Sequence, residues 1–151
     1  MAEPEHDELR AWVEEVATFF AEQYGHPPIS GRILGWLMVC DPPEQSATQI
    51  AEAIGASRAS LTTNLNLLTA SGLVRRRAGQ GERTTYFRVD DDAWPEVIKR
   101  RIATLASFAD VAQKGMDMFE PGSARAGRLR AARETFAWMA GAFQRNDERD
   151  V

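Results

Sequence analysis

Apolar residues recur at three- and four-residue steps from Asp7 to Tyr24 (Leu9, Val13, Val16, Phe20, Tyr24), the spacing of a helix with one buried face. Gly25-His-Pro-Pro28 ends it. A second helix is predicted over residues 31–39, capped by Ser30 and apolar on every side, hence buried. Asp41-Pro-Pro-Glu44 reads as a loop. Ser46, with Gln49 three residues on, makes a capping box for a short helix that turns Ile50, Ala51 and Ile54 inward and stops at Gly55. Ser57 caps a further helix to about Ala70, striped by Leu61, Leu65 and Leu68 and closed by Gly72 in a left-handed cap.

Beyond Gly72 the period falls from 3.6 to 2. Residues 73–78 and 84–89 read as two short strands joined by Gly79-Gln-Gly-Glu-Arg83, a connection longer than a tight hairpin needs and expected to project as a wing. Thr85, Phe87 and Val89 share one face of the second strand, Tyr86 and Arg88 the other. Asp92 caps a long helix beginning near Trp94, with Trp94, Ile98, Ile102, Leu105, Phe108, Ala112, Met116 and Phe119 on its stripe. Unbroken to Phe119, it would be about 39 Å long. Pro121-Gly122 interrupts, and a last helix over residues 123–143 carries Leu129, Ala132, Phe136, Met139, Ala140 and Phe143 before a polar, fraying tail. There are no repeats and no low-complexity segment.

Composition narrows the function. With 151 residues, 44% hydrophobic and 26% charged, the chain is one domain, or a small domain with helices that pack on a partner. The single cysteine, Cys40, excludes an intrachain disulfide and reads as an inert buried thiol. Two histidines, His6 and His26, are too few for a His/Cys metal cluster, and no metal or other cofactor is expected. An acidic N-terminus does not resemble a signal peptide, and the longest apolar stretch, between Arg32 and Asp41, is too short for a bilayer. A soluble cytoplasmic protein without a membrane partner is expected. No phosphate-binding glycine loop, nucleophile motif or histidine pair supports an enzyme, and Asp90-Asp-Asp92 is explained as a strand end followed by a helix cap.

The net charge of -4, from 18 basic and 22 acidic residues, argues by itself against a nucleic-acid partner. Resolved along the chain it does not. Residues 1–56 carry -8, residues 57–88 carry +5 from six arginines against Glu82, and residues 89–151 carry -1. An arginine-rich composition explains part of this, since Lys99 and Lys114 are the only lysines. Position therefore has to decide.

The basic block coincides with a helix-turn-helix, in which Ala51 and Gly55 allow the tight crossing and Leu61 lies beyond the turn, followed by the arginine-rich hairpin. On the second helix Ala59, Thr62, Thr63 and Asn66 turn outward with Ser60 at the flank, and residues 57–71 contain no Glu or Lys. Short polar side chains without a carboxylate suit a major groove. Ser57, Arg58 and the first amides of that helix are placed to meet a backbone phosphate. Arg83 at the wing tip suits a minor groove. Arg75, Arg76 and Arg77 alternate sides, so they cannot all face one groove. Arg75 and Arg77 are candidate phosphate contacts and Arg76 a structural residue, with the parity left open.

Gly31-Arg-Ile-Leu-Gly-Trp-Leu37, Gln49-Ile-Ala-Glu-Ala-Ile-Gly55, Ser57-Arg-Ala-Ser-Leu61, Ser71-Gly-Leu-Val-Arg75 and Gly81-Glu-Arg83 followed by Tyr86 together resemble the MarR-type winged-helix repressors. The Gly-Arg-x-x-Gly opening and the Asp92-x-Trp94 start of the long helix resemble the GbsR-like branch in particular. The wing departs from the family's Asp-x-Arg, keeping Arg83 but changing its companion. The resemblance covers about residues 30–100 and implies a fold that is mainly α with a small β-hairpin wing. It also implies a homodimeric transcription regulator that binds double-stranded DNA. The expected organisation is an N-terminal dimerisation helix (1–29), a winged helix-turn-helix domain (30–90) and C-terminal dimerisation helices (91–151). An apolar stripe on a long projecting helix favours a second subunit, and a twofold dimer matches a pseudo-palindromic operator.

Trp12, Phe19, Phe20, Trp36, Trp94 and Phe108 are candidates to line a pocket for a small-molecule effector, since the GbsR-like branch includes choline-responsive regulators and aromatic faces hold quaternary ammonium groups. Aromatic stripes at helical spacing equally serve as core. The competing functional class is a winged-helix module whose basic hairpin meets an acidic protein without DNA.

Overall fold

The structure is a computed structural model and describes residues 2–79, 81 and 83–147. It divides into two compact units, the first reaching Trp94 and the second starting at Pro95.

In the first unit, α1 (His6–Tyr24) opens with Asp7 and Glu8, acids that complement the helix dipole, and the Glu5 amide donates to the Glu8 carboxylate at 3.1 Å. It ends at Gly25, whose φ of 68° is the left-handed cap. The second helix, α2 (Pro28–Val39), starts three residues earlier than Gly31, with proline at a position where its missing N–H is harmless. Ser30 is therefore not the cap. It lies inside the first turn, buried, and its hydroxyl donates to Asn64 Oδ1 at 2.7 Å.

The crossing of α1 and α2 depends on two glycines. A Cβ on Gly31 would lie 2.5 Å from Ala17 Cα, and one on Gly35 would lie 3.2 Å from Val16 Cβ. Helix backbones this close need a residue without a side chain at the crossing. Around this seat Val13, Ala17, Ile33, Leu34 and Leu37 are buried.

The Ser46–Gln49 capping box is present in both directions and opens α3 (Ala47–Ile54), which stops at left-handed Gly55. Ser57 caps α4 (Arg58–Ser71), and Gly72, at φ 83°, closes it. The leucines of α4 and α3's Ile50 meet Ile33 and Leu34 in one core.

The sheet has one strand that the sequence pattern did not announce. Two-residue β1 (Gln45–Ser46) pairs antiparallel with β3 (Thr85–Arg88), which pairs with β2 (Arg75–Ala78), in the order β1-β3-β2. Two residues show no period, and Ser46 is also the cap of α3. β2 begins at Arg75 because Leu73 and Val74, though apolar and buried, still belong to the exit from α4, where the Val74 amide bonds the Leu68 carbonyl at 3.2 Å.

The predicted long helix is two helices, α5 (Ala93–Ala106) and α6 (Phe108–Met116). At the break the Ser107 hydroxyl donates to the Thr104 carbonyl, the acceptor a continuous helix would assign to the Phe108 amide. Thr104 itself back-bonds to the Arg100 carbonyl, a second local competitor. In the second unit α6 packs on α7 (Ala124–Asp147) through buried Ala112 and Ala126, the Phe108–Phe136 ring pair at 5.1 Å and an Arg133–Gln113 hydrogen bond. α7 runs four residues beyond Phe143, and residues 148–151 of the expected frayed tail lie outside the described residues.

Candidate nucleic-acid interface

Most of the candidate residues lie on α4 or at its N-cap. Buried Leu61, Asn64, Leu65 and Leu68 face inward, while Ser57, Arg58, Ala59, Thr62, Thr63 and Asn66 are exposed and Ser60 is half-buried. The helix is keyed to α2 by a polar chain in which Ser30 donates to Asn64 Oδ1 and Asn64 Nδ2 donates to the Ser60 carbonyl at 2.7 Å. That bond fixes the rotation of α4 in a way that a leucine stripe alone does not. At the N-terminus Ser57 Oγ accepts from the Ser60 amide at 3.3 Å, and Arg58 Nη1 donates to Thr48 Oγ1 at 2.7 Å. Thr62 and Thr63 donate their hydroxyl protons to the carbonyls of Arg58 and Ala59, which leaves the hydroxyl oxygens as acceptors toward solvent.

The hairpin register settles which arginines share a face. Arg75 lies opposite Arg88 and Arg77 opposite Tyr86, whereas Arg76 lies opposite Phe87. On the first face two carboxylates from outside the hairpin gather the guanidinium groups. Glu44 accepts from Arg77 at 2.7 Å and lies 3.6 Å from Arg88, and Asp90 pairs with both Arg75, at 2.8 Å, and Arg88. Arg77 also lies 5.2 Å from the Tyr86 ring centroid. On the other face Arg76 lies 5.6 Å from the centroid of buried Phe87 and reaches α4, donating from Nη2 to Asn66 Oδ1 at 2.8 Å.

The structure thus brings Arg76, read from the sequence as structural, to the exposed face of α4, and it engages Arg75 and Arg77 with acids of the same chain. Arg83 is exposed at the wing and makes no ion pair among the described residues. Its neighbours Gln80 and Glu82 lie outside the described residues, so the Gly81-Glu-Arg83 detail does too. Counting Glu44 and Asp90, the +5 of residues 57–88 becomes +3.

Comparison with known proteins decides the family. Residues 24–83 match the model of the MarR family, and residues 92–149 match that of the MmpR5-like MarR family transcriptional regulators. The chain is 35% identical over 139 residues to the HTH-type transcriptional regulator MmpR5 of Mycobacterium tuberculosis (strain ATCC 25618 / H37Rv), covering 91% of this chain and 82% of that one. A crystal structure of a transcriptional regulator superposes with a TM-score of 0.79 at 33% identity, over 94% of this chain and 97% of the other. The chain belongs to the MarR family of transcriptional regulators. The GbsR-like branch gains no support from these matches. In this chain Gly31 and Gly35 of the Gly31-Arg-x-x-Gly35 segment serve the helix crossing.

In this MarR-family chain the wing base is the electrostatic anchor. The Arg77 guanidinium, hydrogen-bonded to Glu44, holds that carboxylate below its usual range, with Arg88 adding to the effect. Glu44, Asp90, Arg76, Ser30 and Asn64 were absent from the candidate set. Strand alternation separates Arg76 from Arg75 and Arg77, and the pairing with buried Phe87 is what assigns it to the α4 side. Ser30 looked like a cap only because the proline start of α2 was overlooked.

The aromatic residues proposed for a pocket lie in different places. Phe20 stacks on Trp94 at 6.4 Å, beside Phe19, Tyr24 and His26. Trp36 instead donates to Gln45 at 3.4 Å and lines a cavity of about 150 Å³ with Arg10, Val13, Glu14, Arg32, Ala53 and Ile54. Phe108 pairs with Phe136 in the second unit. No described helix is long and apolar enough to cross a membrane, and no group of three or more His, Cys, Asp or Glu among the described residues is placed to hold a metal ion.

Proposed function

We propose that this MarR-family regulator represses transcription as a cytoplasmic homodimer bound to a pseudo-palindromic operator. In this reading α4 enters the major groove with Ala59, Ser60, Thr62, Thr63 and Asn66 toward base edges. Ser57 and Arg58 meet a phosphate at the helix N-terminus, and Arg83 enters the neighbouring minor groove. Residues 30–90 read DNA, and residues 1–29 and 91–151 supply the dimer contacts.

The observation that carries the reading is the exposed face of α4, which presents short hydrogen-bonding side chains and no carboxylate, with Arg58 and Arg76 at its borders. Homodimerisation is supported by large apolar side chains left exposed in the second unit, including Met118 at 73% and Trp138 at 68%. The acidic-protein alternative is weakened, since the arginines of the outer wing face already have Glu44 and Asp90 as carboxylate partners. Arg75 and Arg77 contact phosphate only by exchanging those partners, so they contribute less to affinity than Arg83.

A salt titration of binding to DNA upstream of the chain's own gene tests this. The logarithm of the binding constant should fall with that of salt by about -0.9 per phosphate neutralised. Arg83→Ala should weaken all sites alike, and Thr63→Ala should change preference at particular base pairs. Binding insensitive to salt overturns the DNA reading. A monomer by sedimentation at micromolar concentration removes the palindrome, and a reporter whose output falls when the gene is deleted reverses the assigned sign of regulation.

A further inference from the structure

We infer that Arg76 is a positioning residue that presents the donor branch of Asn66 to DNA, selecting a base whose major-groove edge offers acceptors in preference to adenine. The inference rests on the proposed placement of α4 in the major groove.

Arginine has N–H groups and no acceptor, so the Asn66 atom 2.8 Å from Arg76 Nη2 is the carbonyl oxygen Oδ1. The carboxamide is planar, and its nitrogen lies on the opposite branch from its oxygen. Committing Oδ1 to the wing therefore directs Nδ2, with two N–H donors, away from it. Asn66 is exposed, and Nδ2 has no hydrogen bond among the described residues. Arg76 is itself held. Its guanidinium lies over the ring of Phe87, which is 6% exposed and sits directly across the ladder from it. The wing strand thus sets the orientation of a side chain on the reading helix.

An asparagine recognises adenine by donating and accepting at once, through both branches of its amide. With the oxygen turned to Arg76, the amide can no longer bracket adenine N6 and N7 with both branches at once. The two donors that remain directed outward match an edge of acceptors best, guanine N7 and O6 or thymine O4. The base that the protein selects distinguishes the two.

The test is selection of bound sequences from a random duplex pool by the full-length chain, with matched melting temperatures establishing that each variant is folded. Wild type should select guanine or thymine at one symmetry-related pair of positions. Asn66→Ala should erase that preference, a change of roughly ten-fold in discrimination for a good base contact. Arg76→Ala should erase it at the same positions and admit adenine, and the double variant should add nothing further. Arg76→Lys, which keeps a donor, should restore part of it. Asn66→Asp, which keeps the pairing with Arg76 but has only acceptors to offer, should shift the choice toward bases with an exocyclic amine.

Adenine at that position in the wild type overturns the inference. So does an Arg76→Ala variant that loses affinity uniformly, with a salt slope reduced by about one, because that is the mark of a simple phosphate contact. A wild type that selects no sequence and binds without salt dependence overturns the proposed function and this inference with it. That result is distinct from a wild type that selects normally while Arg76→Ala leaves the preference intact, which overturns the inference alone.

Discussion

Gly31→Ala should destabilise the first unit even though alanine is the better helix former. Non-bonded carbons sit at about 3.5–4.0 Å, and the new Cβ would lie 2.5 Å from Ala17 Cα, a backbone atom that cannot rotate aside. Relief requires α1 and α2 to separate by about 1 Å at their closest point, loosening Val13, Ala17, Ile33 and Leu34 together. Overpacking of this kind costs about 1–3 kcal/mol. Helix propensity returns about 1 kcal/mol. Because the clash is with a backbone atom, the overpacking cost belongs in the upper part of its range, about 2–3 kcal/mol. The net loss is therefore about 1–2 kcal/mol, equivalent to a Tm lower by about 2–8 °C for a chain of this size. Gly35→Ala is the internal control, since its Cβ would meet Val16 Cβ at 3.2 Å and Val13 Cα at 3.4 Å, contacts eased by a shift of a few tenths of an ångström. There the propensity gain should offset the crowding, leaving stability within about 0.5 kcal/mol of wild type. Thermal melts at one fixed protein concentration compare the three proteins without a mass-action artefact. A Gly31→Ala protein as stable as Gly35→Ala would refute the close-crossing argument.

Three further outcomes are expected. Ser30→Ala removes the donor to a buried amide oxygen and should cost about 1–3 kcal/mol by urea denaturation, and a loss near zero would show that Asn64 finds another partner. Glu44 has its folded pKa held down by Arg77, so the unfolded chain binds the extra proton. The stability this adds is present above the unfolded carboxylate pKa and is lost as pH falls through the folded one. Glu44→Gln should therefore flatten the rise of stability with pH in the acid range, and parallel wild-type and variant curves would count against the pair. Desolvation pushes the Cys40 thiol up, so a thiol reagent near pH 8 should label the folded chain well below the rate of the urea-unfolded one, and equal rates would mean that the thiol is not shielded.

Most elements were legible because their ends carry local chemistry. The Ser46–Gln49 box, Ser57 and left-handed Gly55 and Gly72 each satisfy orphan helix groups within four residues of themselves, and the pattern needs no tertiary information. What failed depended on partners distant in sequence or on competition for one carbonyl. The stripe from Trp94 to Phe119 is continuous, yet the Ser107 hydroxyl takes the Thr104 carbonyl that continuity would assign to the Phe108 amide. Ser30 has the composition of a cap and the location of a core residue, and only Asn64, 34 residues away, distinguishes them. The exposed face of α4 was readable from the leucine stripe, whereas the parity of the hairpin arginines was not. Strand alternation says that Arg76 differs from its neighbours without saying which side holds the core.

The face of Arg75, Arg77 and Arg88 is met by acids outside the basic block. Glu44 precedes β1, and Asp90 follows β3. Both converge on the face shared by Arg75, Arg77 and Arg88, which would otherwise carry three like charges within one small hairpin. Like charges this close repel unless something intervenes, and carboxylates ion-paired with the guanidinium groups reduce that repulsion. The hairpin can then hold its register with Arg76 on the opposite side, over Phe87 and against α4. Among the described residues these acids take Arg75, Arg77 and Arg88, while Arg76 reaches Asn66 on α4. Replacing Glu44 or Asp90 should disturb base selection through Arg76 as well as stability, although neither carboxylate lies on α4.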